Sequence, residues 1–172
     1  MRYETAGFPA ALVAVSGIGF PYDDDESVDY EPYPGFMPED ENASWFPMWI
    51  GNQAEDGRQF RVFGQDGSGG YAAFWLVREG AAIEQQPVVF FGSEGAIGVV
   101  ARDLGRYLWL LADGWGPFEA VEYGQWTTRP RPELIAIAEQ FAPQARLGAA
   151  EVVAEALAEF PGFTAYIEGL CR

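Results

Sequence analysis

The chain contains no histidine and no lysine, and its one cysteine, Cys171, stands next to the last residue. Most catalytic devices therefore lack their parts, since histidine is the commonest general base and the usual partner of a nucleophilic serine. A lone cysteine excludes a disulfide framework. No apolar run approaches the roughly 20 residues that a membrane helix requires. The opening Met-Arg-Tyr-Glu-Thr lacks the basic-then-apolar layout of a secretory signal. These absences together predict a cytoplasmic protein without a membrane anchor.

What is present is bulk and negative charge. The 172 residues are 49% apolar and 16% aromatic, which excludes bulk disorder and predicts one domain, 1–172, with a substantial core. Asp and Glu number 26 against ten arginines, a formal charge of −16. Such a field repels phosphate backbones, so direct nucleic-acid binding is not expected, whereas a basic protein partner would be drawn in. The same charge also serves plain solubility. Its distribution is uneven: residues 1–41 hold ten acids and one arginine, and the excess centres on Asp23, Asp24, Asp25, Glu26, Asp29 and Glu31.

Pro9 opens and Gly17 closes a short helix from Phe8 to Ser16. Residues 18–38, with prolines at 21, 32, 34 and 38, predict an extended irregular acidic segment whose aromatics can pin it to the surface. Glu39–Ile50 reads as a helix with Trp45, Phe46, Trp49 and Ile50 as its apolar stripe; Pro47 must lie in a first turn or kink it. Four strands are predicted, at Phe60–Phe63, Tyr71–Val77, Pro87–Phe91 and Ile97–Ala101. The linkers inside each pair, Gly64–Gly70 and Gly92–Gly95, are short and glycine-rich, which favours antiparallel hairpins. Asp103 caps a helix whose Leu104, Tyr107, Leu108 and Leu111 share one face; Trp109 and Leu110 lie off it, so the helix should be enclosed on more than one side. Gly114 ends it. Residues 115–132 read as a connector, and helices near 132–142 and 148–160 close the chain within a helical C-terminal region, 132–172.

Asp66-Gly67-Ser68-Gly69-Gly70 has a glimpse of a nucleophile elbow, but Asp66 stands where the motif needs glycine and no histidine is available, so a hairpin turn is the better reading. The same glycines lack the strand–loop–helix setting of a phosphate cradle. Asp23–Glu26 are contiguous rather than alternating with spacers, which favours a solvated acidic loop over a metal site. Paired carboxylates could run glycoside hydrolysis, but nothing in the spacing points to a pair. Glu151, Glu155 and Glu159 form a ladder opposite the apolar stripe of the last predicted helix: either an ordinary wet face or a strip awaiting a partner's cations. Trp115, between Gly114 and Gly116, is either an exposed interface anchor or a lid on the preceding helix.

Phe60-Arg61-Val62-Phe63-Gly64 with the Asp66–Gly70 turn, Pro87-Val88-Val89-Phe90-Phe91 with the Ser93-Glu94-Gly95 turn, and the helix Asp103–Ala112 resemble the SUKH superfamily of bacterial immunity proteins and yeast cell-wall-assembly-regulator-like proteins. Val28-Asp29-Tyr30-Glu31-Pro32-Tyr33 and Trp45-Phe46 resemble stretches upstream of the sheet in actinobacterial members. The resemblance spans about residues 20–120. It implies an α+β fold, a bent, mostly antiparallel sheet packed with helices. It implies a non-enzymatic role, similar to antidotes that bind and neutralise a toxin, often a nuclease, and no catalytic residues, metal or cofactor. The expected contacts with a basic partner are Asp23, Asp24, Asp25, Glu26, Asp29, Glu31 and Trp115. A general regulatory or scaffold domain is the alternative reading, and a carboxylate-based hydrolase a more distant one.

Overall fold

The computed structural model describes residues 2–20, 28–122 and 127–172. Five antiparallel strands form an open sheet in chain order: β1 (Glu31–Pro32), β2 (Phe60–Gln65), β3 (Tyr71–Trp75), β4 (Val88–Phe91) and β5 (Ile97–Ala101). Seven helices pack with it among the described residues: α1 (Ala10–Ser16), α2 (Glu39–Trp49), α3 (Leu104–Ala112), α4 (Pro117–Glu122), α5 (Pro132–Phe141), α6 (Ala149–Glu159) and α7 (Phe163–Leu170). The class is α+β, as the resemblance implies. No described helix is long and apolar enough to cross a membrane.

Both faces of the sheet are covered, and the sequence shows why its strands read as near-continuous apolar runs. Phe74, Val88, Phe90 and Val100 join the core beneath α1, α3 and α5. Phe60, Val62, Ala73, Val89, Phe91 and Val99 join a second core beneath α2, α6 and α7. Every residue of β4 is therefore buried. The register slips between Val62 and Gly64 and again between Val88 and Val89. Each bulge adds a residue to one strand and bends it. The first also re-aims the end of β2: Phe63 and Gly64 turn toward the α3 side, and Gln65 returns to the α2 side opposite Tyr71.

The exposed edge of β2 is sealed by a side chain. Asn42, on α2, is 2% exposed. Its Nδ2 donates to the carbonyls of Phe60 and Gly57, both at 2.7 Å, and its Oδ1 accepts from Val62 N–H at 3.2 Å. The amide thus continues the strand ladder where no strand follows, which protects an edge otherwise open to pairing. Tyr33 and Met37 N–H groups close the remainder by donating to Phe63 and Val62 carbonyls.

Several expectations need correction. The 18–38 segment is not wholly irregular: Glu31–Pro32 pairs with Gln65 and Gly64 as β1. β3 stops at Trp75: Leu76 N–H still donates to the Gln59 carbonyl, but Val77 N–H turns back to the Trp75 carbonyl. The 115–132 connector contains α4, and three helices close the chain where two were expected. Pro47 lies near the end of α2, where it removes one interior N–H without ending the helix. The cap at Asp103 is as expected, accepting from Arg106 N–H at 2.8 Å, and Trp109 and Leu110 are buried on the flanks of α3.

Candidate functional site

Both hairpin turns point the same way. Asp66 Oδ1 accepts from the N–H groups of Ser68 and Gly70 and from the Ser68 hydroxyl. Gly69, at φ +91°, takes a conformation that a residue with a Cβ resists. Ser68 therefore belongs to a hairpin turn between antiparallel strands. Ser93, in the turn between β4 and β5, donates to Ser68 Oγ at 2.9 Å and ties the two turns together. Trp49 Nε1 donates to the Gly92 carbonyl, which fixes α2 to the same end.

Asp29 and Glu31 come to this end of the sheet. Asp29 Oδ1 accepts from Gly67 N–H at 2.7 Å. Its own N–H donates to Glu119 Oε1 at 3.3 Å. Glu119, on α4, is 3% exposed, and its Oε2 has no hydrogen-bond partner among the described residues. Burial raises its carboxyl above the ordinary range, with the Asp29 charge adding to this against the hydrogen bonds that lower it. Gly116 makes room for it: a Cβ there would sit 2.5 Å from both Glu119 Oε2 and the Val28 methyl. Glu31 is exposed on β1 and accepts from Gln65 Nε2 at 2.7 Å.

Asp23, Asp24, Asp25 and Glu26 lie outside the described residues. Residues on either side of that run are firmly held. Phe20 packs edge-on to Tyr30 with ring centroids 5.3 Å apart, and the Arg131 guanidinium lies over Phe20 at 4.8 Å while donating to the Gly19 carbonyl. Val28 is buried and Asp29 is bonded on two sides.

Trp115 is corrected. It is 2% exposed and belongs to the α3 core, so it is the lid and not the exposed anchor. Gly114, at φ +82°, reverses the chain and lays the indole back onto α3. The Glu151–Glu155–Glu159 ladder is corrected as well. Glu155 takes the Arg106 guanidinium at 2.7 Å and Arg102 at 3.3 Å. Glu159 pairs with Arg102 at 3.2 Å and with Arg78. Glu151 accepts from the Gly148 N–H at the start of α6. The cations that this strip requires come from the chain itself, on and next to β5, α3 and the end of β3.

Open grooves lie elsewhere among the described residues. One of about 420 Å³ between α2 and β2 is lined by Glu39, Asp40, Asn42, Arg58 and Phe60. One of about 270 Å³ between α1 and α3 is lined mainly by apolar residues, with Phe141 and Glu84 at its rim. Glu119 lines neither. No cluster of three or more His, Cys, Asp or Glu suited to a metal ion occurs among the described residues.

Sequence reasoning missed Asn42 and Glu119. Asn42 left a signal: it lies one turn before Phe46 on the apolar side of α2, and a polar residue on such a face needs partners. Glu119 left none, because its burial follows from Val28 and Gly116, far away or featureless in the sequence. No family model, curated protein or solved structure matches this chain.

Proposed function

We propose that the chain is a non-enzymatic protein-binding module of the SUKH kind, an immunity-like protein that captures a basic partner such as a nuclease toxin domain. The observation that carries this reading is the division of the acids. Glu155 and Glu159 on α6 are neutralised by the chain's own arginines, whereas no arginine among the described residues pairs with Asp29, Glu31, Glu41 or Glu94 at the turn end. Asp29, at the same end, follows the Asp23–Glu26 run three residues later in the sequence. A rigid anionic surface of this kind speeds encounter with a cationic protein and repels nucleic acid, the polymer such a partner itself binds.

The test is direct binding to toxin domains encoded beside the gene, measured by calorimetry over a range of salt. Affinity should fall with ionic strength and drop at least about tenfold when residues 23–26 are changed to Asn and Gln. Genes alongside that encode no toxin and no secretion component would favour a general regulatory domain. Binding that ignores both salt and these charges would contradict the reading. Turnover of a small molecule by the purified chain would restore the carboxylate hydrolase.

A further inference from the structure

Glu31, Gln65 and Tyr71 are lateral neighbours across β1, β2 and β3, so their side chains share one face. Tyr33 donates its hydroxyl to Gln65 Oε1 at 2.6 Å, and Gln65 Nε2 donates to Glu31 Oε2 at 2.7 Å. The relay holds the Glu31 carboxylate beside the rings. Tyr3 packs on Tyr33 at 4.9 Å between centroids, and Tyr71 packs on Trp45 at 5.1 Å. Glu41 stands one turn before Trp45 on α2, exposed. Burial raises the phenols of Tyr3 and Tyr71, helped by the charges of Glu31 and then Glu41 at Tyr3 and of Glu41 at Tyr71. These hydroxyls therefore stay neutral at physiological pH, and the negative charge beside the rings is that of the two carboxylates.

The neighbouring place on the same segments shows what such a set holds. The Arg61 guanidinium lies over the Phe36 ring at 4.6 Å, with Nη2 3.0 Å from Glu4 Oε2 and Nη1 3.1 Å from Glu39 Oε1. One ring and two carboxylates there take one arginine. Glu4 follows Tyr3, Phe36 lies three residues after Tyr33, and Glu39 lies two before Glu41. The second set has the same chemistry and no arginine of its own among the described residues. A planar guanidinium stacks on aromatic faces and offers a fork of donors to carboxylates, which an ammonium does not.

We infer that the turn-end face carries a seat for an arginine side chain of a partner protein, formed by the partly exposed Tyr3 and Tyr71 with Glu31 and Glu41, and backed by the buried Tyr33. This rests on the reading of the chain as a binder of basic proteins and names one point at which the partner enters.

The probe is the peptide acetyl-Gly-Arg-Gly-Arg-Gly-amide, titrated at low salt into the isotope-labelled full chain and followed by NMR, beside its lysine counterpart. Saturable shifts are expected at the Tyr3 and Tyr71 rings and the Gln65 side-chain amide, with the arginine peptide about threefold or more tighter than the lysine peptide. The exposed double variant Glu31→Gln, Glu41→Gln should weaken binding about tenfold while keeping the thermal midpoint. Tyr3→Leu, which keeps an apolar side chain on Tyr33, should abolish the arginine preference. Equal affinity for both peptides, shifts that never saturate, or indifference to the double variant would overturn the seat. Loss of peptide binding only when 23–26 are neutralised would overturn it while leaving the basic-partner reading intact. Arginine-selective binding at the tyrosines, together with failure of every neighbouring toxin domain to bind, would uphold the seat and sink the toxin reading.

Discussion

Two acid-rich regions of this molecule have been given opposite duties. Along α6, Glu155 and Glu159 are gripped by Arg78, Arg102 and Arg106, and the ion pairs lash α6 to α3 and to the ends of β3 and β5. At the turn end, Asp29 and Glu31 bond to backbone and amide groups, and Glu41 and Glu94 stand exposed. The first region uses charge to fix structure. The second displays charge on structure that hydrogen bonds and aromatic packing have already fixed. A count of acids in the sequence cannot separate these duties; the location of the arginines does.

The largest expected effect tests the support beneath the display. Asn42→Ala leaves the Val62 N–H and the Phe60 carbonyl buried without partners, and the Gly57 carbonyl with the Phe60 N–H alone. It should cost about 3 kcal/mol or more in urea unfolding and loosen α2, and with it Glu41, from the sheet. A change below about 0.5 kcal/mol would mean that the edge is sealed by something else.

Glu155→Ala comes next and probes the paired region. It removes charge-assisted bonds to Arg106 and Arg102 at side chains 20–40% exposed. About 2 kcal/mol of destabilisation is expected, discounted for that exposure. The same pair has a pH signature. Arg106 holds the Glu155 carboxyl below its ordinary range, so its contribution is complete above that range and lost as pH falls through the lowered value. Glu119 has the opposite sign. Burial raises its carboxyl, so its contribution is complete below the ordinary carboxylate range and lost as pH rises through the raised value. Glu119→Gln should therefore raise the unfolding midpoint at neutral pH and flatten the slope between mildly acidic and neutral solution; an unchanged slope would contradict the assignment.

The smallest effect on stability sharpens the contrast most. Glu31→Gln and Glu41→Gln should each stay within about 0.5 kcal/mol of the parent chain, since neither carboxylate holds an arginine. A cost comparable to that of Glu155→Ala would erase the distinction between the regions.

Much of the fold was legible because local signals agreed. The Asp66–Gly70 and Gly92–Gly95 turns sit between apolar runs too close together for anything but hairpins, and Asp103 precedes a clear helical stripe. α4 was hidden, because Pro-Phe-Glu-Ala-Val-Glu is short and its burial depends on β5 and Val28, distant in sequence. The candidate site was half legible. Asp29 and Glu31 were read from the acidic run, but Trp115 was placed by glycines that in fact turn it inward. The tyrosine set was unreadable, since Tyr3 packs on Tyr33 from a distant segment outside the strands, and Tyr71 joins their face only through strand register and the bulge that re-aims Gln65.

Calorimetry of the chain with a basic toxin domain encoded beside it tests the central claim most directly. Three versions suffice: the parent, Glu31→Gln with Glu41→Gln, and Glu168→Gln on α7. Affinity should fall about tenfold in the turn-end variant and hold within about twofold in the α7 variant. Equal loss in both, or in neither, would contradict the assignment of binding to the turn end of the sheet.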